Sequence, residues 1–473
     1  MAHDCSFLED LDLGDDQLSF ADGRRESHAT DWGTEDSGGV MPDAVVWPER
    51  TADVSAVLSA ATDRGVPVTP YAAGTGLEGA AVPAHGGISL DLTRMDAVVD
   101  YRPDDFQIDV GPGIIGSDVD EHVAGDGLFF PPLPSSGEIS TIGGMIATDA
   151  SGMGTVRYGE IADWVLGLEA VLADGTVVQT GSRAIKTSSG YNLTDLLVGS
   201  EGTLAVVTEA TLELAGRPEQ IRGGRAIFET LDNAAEAVFD AVRTEVDVAK
   251  IELVDGLSAR MANDYLDTGL PDSPMVFLEF HANHGIEAEI DLCRTIFEDH
   301  TVARFEMSDD DDEMAALWEA RRELAFAVRS YDPDLESLHP GDVTVPISAY
   351  PEVVHETKRL ADEYDLLVPC FGHAGDGNLH YSVLADPSDP AQLERGEELY
   401  RAIVELAIDL GGTATGEHGI GEGKQAYLEP EHGAGAVEAM RSVKQAFDPT
   451  DTLNPGKVFP ETADGERVRE PDR

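Results

Sequence analysis

The chain has 473 residues, enough for about three domains at roughly 150 residues each, and 42% of them are hydrophobic, enough for real cores. Its 91 acidic residues against 31 basic ones leave a net charge of −60, and only six of the basic residues are lysines. That balance excludes a nucleic-acid binder, which needs clustered positive charge, and a polybasic membrane anchor.

Residues 1–40 are acidic, poor in apolar runs and interrupted at Gly38-Gly39, and read as an N-terminal extension. Asp43–Pro48 reads as a short strand. Thr51 reads as a helix N-cap with Asp53 in the first turn, and Val54, Val57, Leu58 and Ala61 share one helical face. Gly65 stops that helix. Val66–Thr69 and Ile88–Leu92 read as strands on either side of the loop Pro70–Gly79. A second segment, from about Tyr101 to Leu214, holds a hairpin of Val165–Leu172 and Thr176–Thr180 around Asp174-Gly175, then a turn and an alternating strand over Gly199–Leu214. From about Arg217 glycine thins and helices alternate with strands. The spacing predicts strands over Val276–Phe280, Val343–Pro346 and Leu366–Phe371. It predicts an amphipathic helix over Met314–Arg329 and a helix over Leu393–Leu410, closed by Gly411-Gly412. The charge run Asp309–Glu313 reads as solvated surface.

Two glycine-rich stretches point to a ligand. Gly74-Thr75-Gly76-Leu77-Glu78-Gly79 matches G-x-G-x-x-G, but Pro83, Gly86-Gly87 and a strand follow it instead of a helix. A dinucleotide fold of the doubly wound kind needs the helix. The loop therefore reads either as a backbone nest for a phosphate or as an ordinary turn. Thr141–Gly159 (TIGGMIATDASGMGTVRYG) adds five glycines, which permit close approach of a large flat ligand. Together they indicate a long cofactor with a diphosphate and a ring system.

The sharpest cluster is Gly372–His380, GHAGDGNLH. With Asp376-Gly377 as a two-residue turn, His373 would face His380 across the strands, at about the 4.5–5.5 Å spacing of opposed Cβ atoms. Glu417, in TGEHG, would complete a two-histidine, one-carboxylate set of the catalytic zinc type. His418 beside it is a candidate general base or a hydrogen-bonded structural histidine. Arg321 is a candidate carboxylate clamp or a partner in a helix-surface ion pair.

Cys5, Cys293 and Cys370 are odd in number, far apart and form no C-x-x-C, which argues against an iron–sulfur cluster of the chain's own and against a disulfide framework. No apolar run reaches about eighteen residues, and Arg24-Arg25 leads into Glu26-Ser27-His28, not an apolar signal segment. The chain is expected to be cytoplasmic, with any membrane association peripheral at the inner face. The charge points to a cytoplasm with molar salt, as in a halophile, because self-repulsion is screened when the Debye length falls to about 3 Å. An acidic mesophile protein is the plain alternative.

Taken together, PYAAGTGLEG, TIGGMIATDASGMGTVRYG, GSEGTLAVVTEATLEL, GHAGDGNLH, GGTATGEHGIGEGK and LNPGKVF resemble the FAD-linked oxidoreductases with a vanillyl-alcohol-oxidase-like (PCMH-type) FAD domain, over about Asp43–Pro460. Within them the chain resembles the D-2-hydroxyacid dehydrogenase branch, which includes cytochrome-type D-lactate dehydrogenases and glycolate oxidase flavin subunits. The resemblance implies an α+β fold. A two-subdomain FAD-binding domain would span 41–214, a substrate domain with an antiparallel sheet and metal site 215–420, and a C-terminal segment returning to the FAD domain 421–473. It implies that Gly74, Thr75, Gly76, Leu77 and Gly79 cradle the FAD pyrophosphate. Thr141, Gly143, Gly144, Gly152, Glu201, Gly202, Val207 and Asn454 would line the rest of the cofactor. Thr75 stands where some relatives attach FAD through a histidine, so non-covalent FAD is expected. By the same resemblance His373, His380 and Glu417 hold a divalent metal, zinc in the first instance. His418 is the base and Arg321 holds the substrate carboxylate. D-lactate is the leading substrate and glycolate the alternative. Ser382 and His339-Pro340-Gly341 depart from the hydroxyglutarate enzymes, and Asp149 stands where asparagine is common. Electrons would leave to an external acceptor: a quinone, a carrier flavoprotein or an iron–sulfur partner subunit. A zinc hydrolase with a nucleotide-binding domain is the reading from another class.

Overall fold

The structure, a computed structural model, describes residues 2–37 and 39–460. Gly38 of the expected glycine break and residues 461–473 of the expected C-terminal segment lie outside the described residues. The chain divides into two units. The first takes Met1–Ser151, Glu160–Arg217 and the chain from Glu417 onward; the second takes Gly152–Gly159 and Pro218–Gly416.

In the first unit, short apolar runs become buried strands. β1 (Leu18–Ser19), β2 (Ala44–Val46), β3 (Val68–Tyr71) and β4 (Ile88–Asp91) form one sheet in the order β1-β2-β4-β3. β2, β4 and β3 run parallel, and β1 pairs antiparallel with β2. The helix Thr51–Thr62 buries Val54, Val57, Leu58 and Ala61, the face its spacing marks out. Its N-cap is Arg50, one residue earlier than expected, and Thr51 opens the helix. The Asp53 carboxylate takes the Arg50 Nε at 2.7 Å and the Gln17 Nε2 at 3.1 Å. Phe7 and Leu8 pack into the same core, so the first residues of the chain are part of this unit. β3 would be a bare edge, but the tail seals it. The Val68 N–H donates to the Thr452 carbonyl at 2.8 Å, and the Asn454 N–H donates to the Val68 carbonyl at 2.8 Å. No helix lies between β3 and β4, as Pro83 and Gly86-Gly87 lead one to expect.

The second sheet of this unit uses β5 (Val98–Arg102), β6 (Gln107–Val110), β8 (Val165–Val171), β9 (Val177–Gly181) and β10 (Val206–Glu213), antiparallel in the order β5-β6-β10-β8-β9. β7 (Leu128–Phe129) pairs with β11 (Ala215–Gly216). The expected hairpin is β8–β9, turning at Gly175 with φ +85°. In β10 Val206, Thr208, Ala210 and Leu212 point inward and their neighbours outward, the period-two pattern of a half-buried strand.

The second unit is built on one antiparallel sheet of β12 (Gln220–Phe228), β13 (Lys250–Val254), β14 (Met275–Ala282), β15 (Val302–Ser308), β16 (Glu336–Thr344), β17 (Cys370–His373) and β18 (Asn378–Ala385). Its order is β15-β12-β14-β13-β17-β18-β16. The helix expected over Met314–Arg329 is two, Asp311–Arg322 and Leu324–Arg329, broken at Glu323. The break lets Trp318 and Ala320 on one piece and Leu324, Ala327 and Val328 on the other enter a single core. All three cysteines are buried and unbonded, and burial pushes each thiol up to about 12. Among the described residues no helix is long and apolar enough to cross a membrane.

Candidate active site

The two glycine-rich stretches meet in the first unit. Gly74 and Gly79 have φ +67° and +77°, the left-handed region that favours glycine, and a Cβ on Gly74 would lie 2.4 Å from the Tyr71 hydroxyl. The Thr75 hydroxyl lies 3.1 Å from that of Ser140, next to Thr141. The Thr141 side chain caps the helix Ile142–Thr148, accepting from the Gly144 N–H at 3.2 Å. A Cβ on Gly143 would lie 2.6 Å from Pro112, so glycine lets that helix sit close. A cavity of about 390 Å³ is lined by Ala73, just before the first stretch, and Thr141 of the second, with Thr93, Asp96, Asp118 and His122. Gly152 stands apart from these residues in the division of the chain, because the segment Gly152–Gly159 belongs to the second unit.

Glu201, Gly202, Val207 and Asn454 are in the same unit as the loops, in different settings. The Glu201 carboxylate, in a residue at φ +51°, accepts the Ile420 and Gly421 N–H groups at 2.8 Å each. Burial raises it, against the pull of those N–H groups and of Lys457 and Lys424. Its side chain thus holds the chain just after TGEHG. Gly202, at φ +66°, lets its turn lie against Pro70, where a Cβ would come within 2.9 Å. Val207 is half-buried beside Ala170. Asn454 donates from Nδ2 to the Ala80 and Glu201 carbonyls at 2.8 Å each. Its Oδ1 is buried without a partner. Glu417 and His418 open the last stretch of this unit. The Ser151 hydroxyl lies 3.2 Å from Glu417, and His418 Nε2 lies 3.7 Å from the same carboxylate.

The second unit holds the rest. His380 does not face His373 across a two-residue turn. A short 3₁₀ turn, Ala374–Asp376, replaces that turn, so His380 pairs with Phe371 on one side and Asp342 on the other. His373 pairs with Glu252 of β13. Since Phe371 and His373 share a face, the two histidines are still diagonal neighbours. Their ring centroids lie 5.1 Å apart with the planes at 89°.

Glu252, fully buried, organises this cluster. Its Oε1 and Oε2 lie 2.8 and 3.0 Å from His373 Nδ1. Its Oε2 also accepts from Arg321 Nε at 2.8 Å, and Arg321 Nη2 lies 2.7 Å from the same oxygen as an ion pair. Burial pushes the Glu252 carboxyl up, but the neighbouring His373 and Arg321 charges outweigh it and hold it below the ordinary value. Arg321 is therefore no helix-surface ion pair. It is 3% exposed, with its guanidinium over the Phe371 ring at 5.0 Å. Asp342 is equally buried. It accepts the Asn378 amide at 2.7 Å, the Thr415 hydroxyl at 2.9 Å and the Gly416 N–H at 2.8 Å, and lies 3.8 Å from His380. A Cβ on Gly416 would fall 2.3 Å from Asn378 Nδ2, so only glycine fits where the chain enters Glu417-His418. Sequence reasoning missed Glu252 and Asp342. The available signal was a carboxylate inside an apolar strand, in KIELV and in GDVTV.

Comparison with known proteins gives two domain matches, a FAD binding domain over 42–181 and the C-terminal domain of FAD linked oxidases over 217–458. The chain is 36% identical over 450 residues to a probable mitochondrial D-lactate dehydrogenase of Danio rerio, covering 94% of this chain and 90% of that one. It is 38% identical over 428 residues to the glycolate oxidase subunit GlcD of Bacillus subtilis (strain 168), covering 89% and 90%. Its fold is similar to p-cresol methylhydroxylase, with a TM-score of 0.79 at 17% identity over 95% of both chains.

Proposed function

The chain belongs to the FAD-linked oxidases, and from that premise we propose that it oxidises a small D-2-hydroxyacid, D-lactate to pyruvate in the first instance. The relatives supply the substrate class. The observation that carries the reading is the buried Arg321–Glu252–His373 cluster beside His380. In a chain of net charge −60 it concentrates cationic and imidazole groups, which is what a small carboxylate needs.

The first unit fits FAD on its own features: two positive-φ glycines in one loop, the cavity between Ala73 and Thr141 and the unpartnered Asn454 Oδ1. Thr75, bonded to Ser140, offers no attachment nitrogen, in keeping with non-covalent FAD. Bound FAD supplies the acceptor for the two electrons and the hydrogen that leave C2 of the substrate. Glu252 occupies the Nε and Nη2 side of Arg321, so the Nη1 side is the one to meet the substrate carboxylate. His418 takes the proton of the substrate hydroxyl. His373 and His380 suit a divalent cation such as zinc by donor chemistry, and Glu252 on His373 Nδ1 turns Nε2 outward as the ligating nitrogen. The electrons go on to an external acceptor. The FAD binding domain leaves the hydrolase alternative without support.

The test is the visible spectrum of the purified protein in molar salt, without oxygen. D-lactate is expected to bleach the flavin band and L-lactate to leave it unchanged. Bleaching by glycolate alone would move the assignment to the second reading, which the Bacillus subtilis relative favours. No bleaching by either would overturn the substrate class. Treatment with a strong chelator is expected to abolish D-lactate turnover while the oxidised flavin spectrum stays as it was, with zinc restoring the rate. Full turnover by a preparation shown by elemental analysis to be metal-free would remove the metal from the mechanism.

A further inference from the structure

The first glycine-rich loop is held from behind by chain that lies upstream of the matched FAD binding domain, which begins at residue 42. The Trp32 N–H donates to the Gly74 carbonyl at 2.8 Å, and the Gly33 N–H donates to the Gly76 carbonyl at 3.0 Å. A Cβ on Gly33 would fall 2.0 Å from the Leu77 carbonyl oxygen, so the two backbones touch with no room for a side chain. Asp31, 2% exposed, sets its carboxylate against the same loop, and a Cβ on Gly76 would come 3.2 Å from its Oδ2. The other oxygen takes the Thr34 hydroxyl at 2.8 Å, and the Asp31 N–H returns to Thr34 Oγ1 at 3.0 Å, which fixes the turn. Burial raises the Asp31 carboxyl, and the Thr34 hydroxyl, Lys457 and the Gly79 N–H of the same loop pull it back. Two backbone bonds and one buried carboxylate thus converge on Gly74 and Gly76. Carbonyls drawn backwards at Gly74 and Gly76 turn the next N–H groups, those of Thr75 and Leu77, the other way, as in an anion nest.

We propose that residues Asp31–Thr34 are a brace that sets the Gly74–Gly79 loop for the FAD diphosphate, with Gly33 and Asp31 as its positioning residues. The inference rests on the reading of that loop as the FAD cradle. Loosening the brace costs at least one hydrogen bond to a charged phosphate, about tenfold in affinity or more.

The experiment measures FAD binding to the apoprotein in molar salt by flavin fluorescence, with ADP as competitor, for Gly33→Ala, Asp31→Asn and Gly76→Ala. The expected result is FAD affinity weakened about tenfold or more in all three, with ADP weakened by the same factor and the apoprotein circular dichroism unchanged. A general loss of structure would not single out the diphosphate-bearing fragment. Wild-type FAD affinity in Gly33→Ala and Asp31→Asn, with Gly76→Ala impaired, overturns the brace and leaves the cradle standing. Wild-type affinity in Gly76→Ala as well removes the cradle and the brace together. FAD weakened with ADP unaffected places the effect away from the diphosphate and also overturns the proposal. If Gly33→Ala does not fold, Asp31→Asn decides alone.

Discussion

Glu252→Gln is expected to lower D-lactate turnover by about 10- to 100-fold, the usual cost of losing a residue that orients a metal-binding histidine, the role proposed for His373. The same change is expected to destabilise the second unit by about 3–5 kcal/mol. The two effects share one cause. Glu252 is the carboxylate behind both Arg321 and His373, and all three are buried. Glutamine keeps the shape and one acceptor but removes the charge. The Arg321 guanidinium is then left without its counter-ion in the interior, which costs more than the pair contributes when intact. The His373 ring also loses the partner that fixes which nitrogen carries the proton. Steady-state kinetics and chemical denaturation check the two halves separately. A variant with wild-type turnover would mean that neither Arg321 nor His373 touches the reaction.

Dialysis from molar salt into about 0.1 M salt is expected to unfold the protein and release its flavin. At about 0.1 M the Debye length is about 10 Å, long enough for neighbouring surface carboxylates to repel one another. With 91 acidic residues against 31 basic, there are too few partners to neutralise them. The lysines that remain are mostly committed to structure. Lys424 and Lys457 are 0% and 3% exposed, and Lys444 bonds Thr203, Asp448 and Leu453. Circular dichroism and flavin fluorescence against salt concentration follow the transition. Full structure and activity at low salt would identify an acidic protein of ordinary salt tolerance.

Much of the fold is legible in the sequence because its elements carry their own periods. The 3.6-residue face of Thr51–Thr62 and the alternation of Val206–Glu213 need no distant partner to be read. The glycine loops are legible because positive φ and close approach are local demands. Register is not. The His373–His380 pair is visible in GHAGDGNLH, but a 3₁₀ turn in place of a two-residue one moves His380 opposite Phe371 and Asp342. Glu252 is illegible for a different reason. It reaches His373 from 121 residues away, through a strand pairing that no local pattern encodes. Arg321 looks from its helix like surface, and only that strand shows where its charge is met.

The tail's seal on β3 has a consequence for how the protein is made. Val68 and Leu453 lie 453 − 68 = 385 positions apart and are joined as neighbours in parallel. At about 5–20 residues per second of translation, the edge of β3 waits roughly 20–80 s for its partner to leave the ribosome. Through that interval a strand with Val68 fully buried in the finished protein presents open backbone groups, the kind of edge on which aggregates grow. The first unit is thus begun some 385 residues before it is closed, and a nascent chain stalled before Thr452 is expected to aggregate more readily than one released after Asn454.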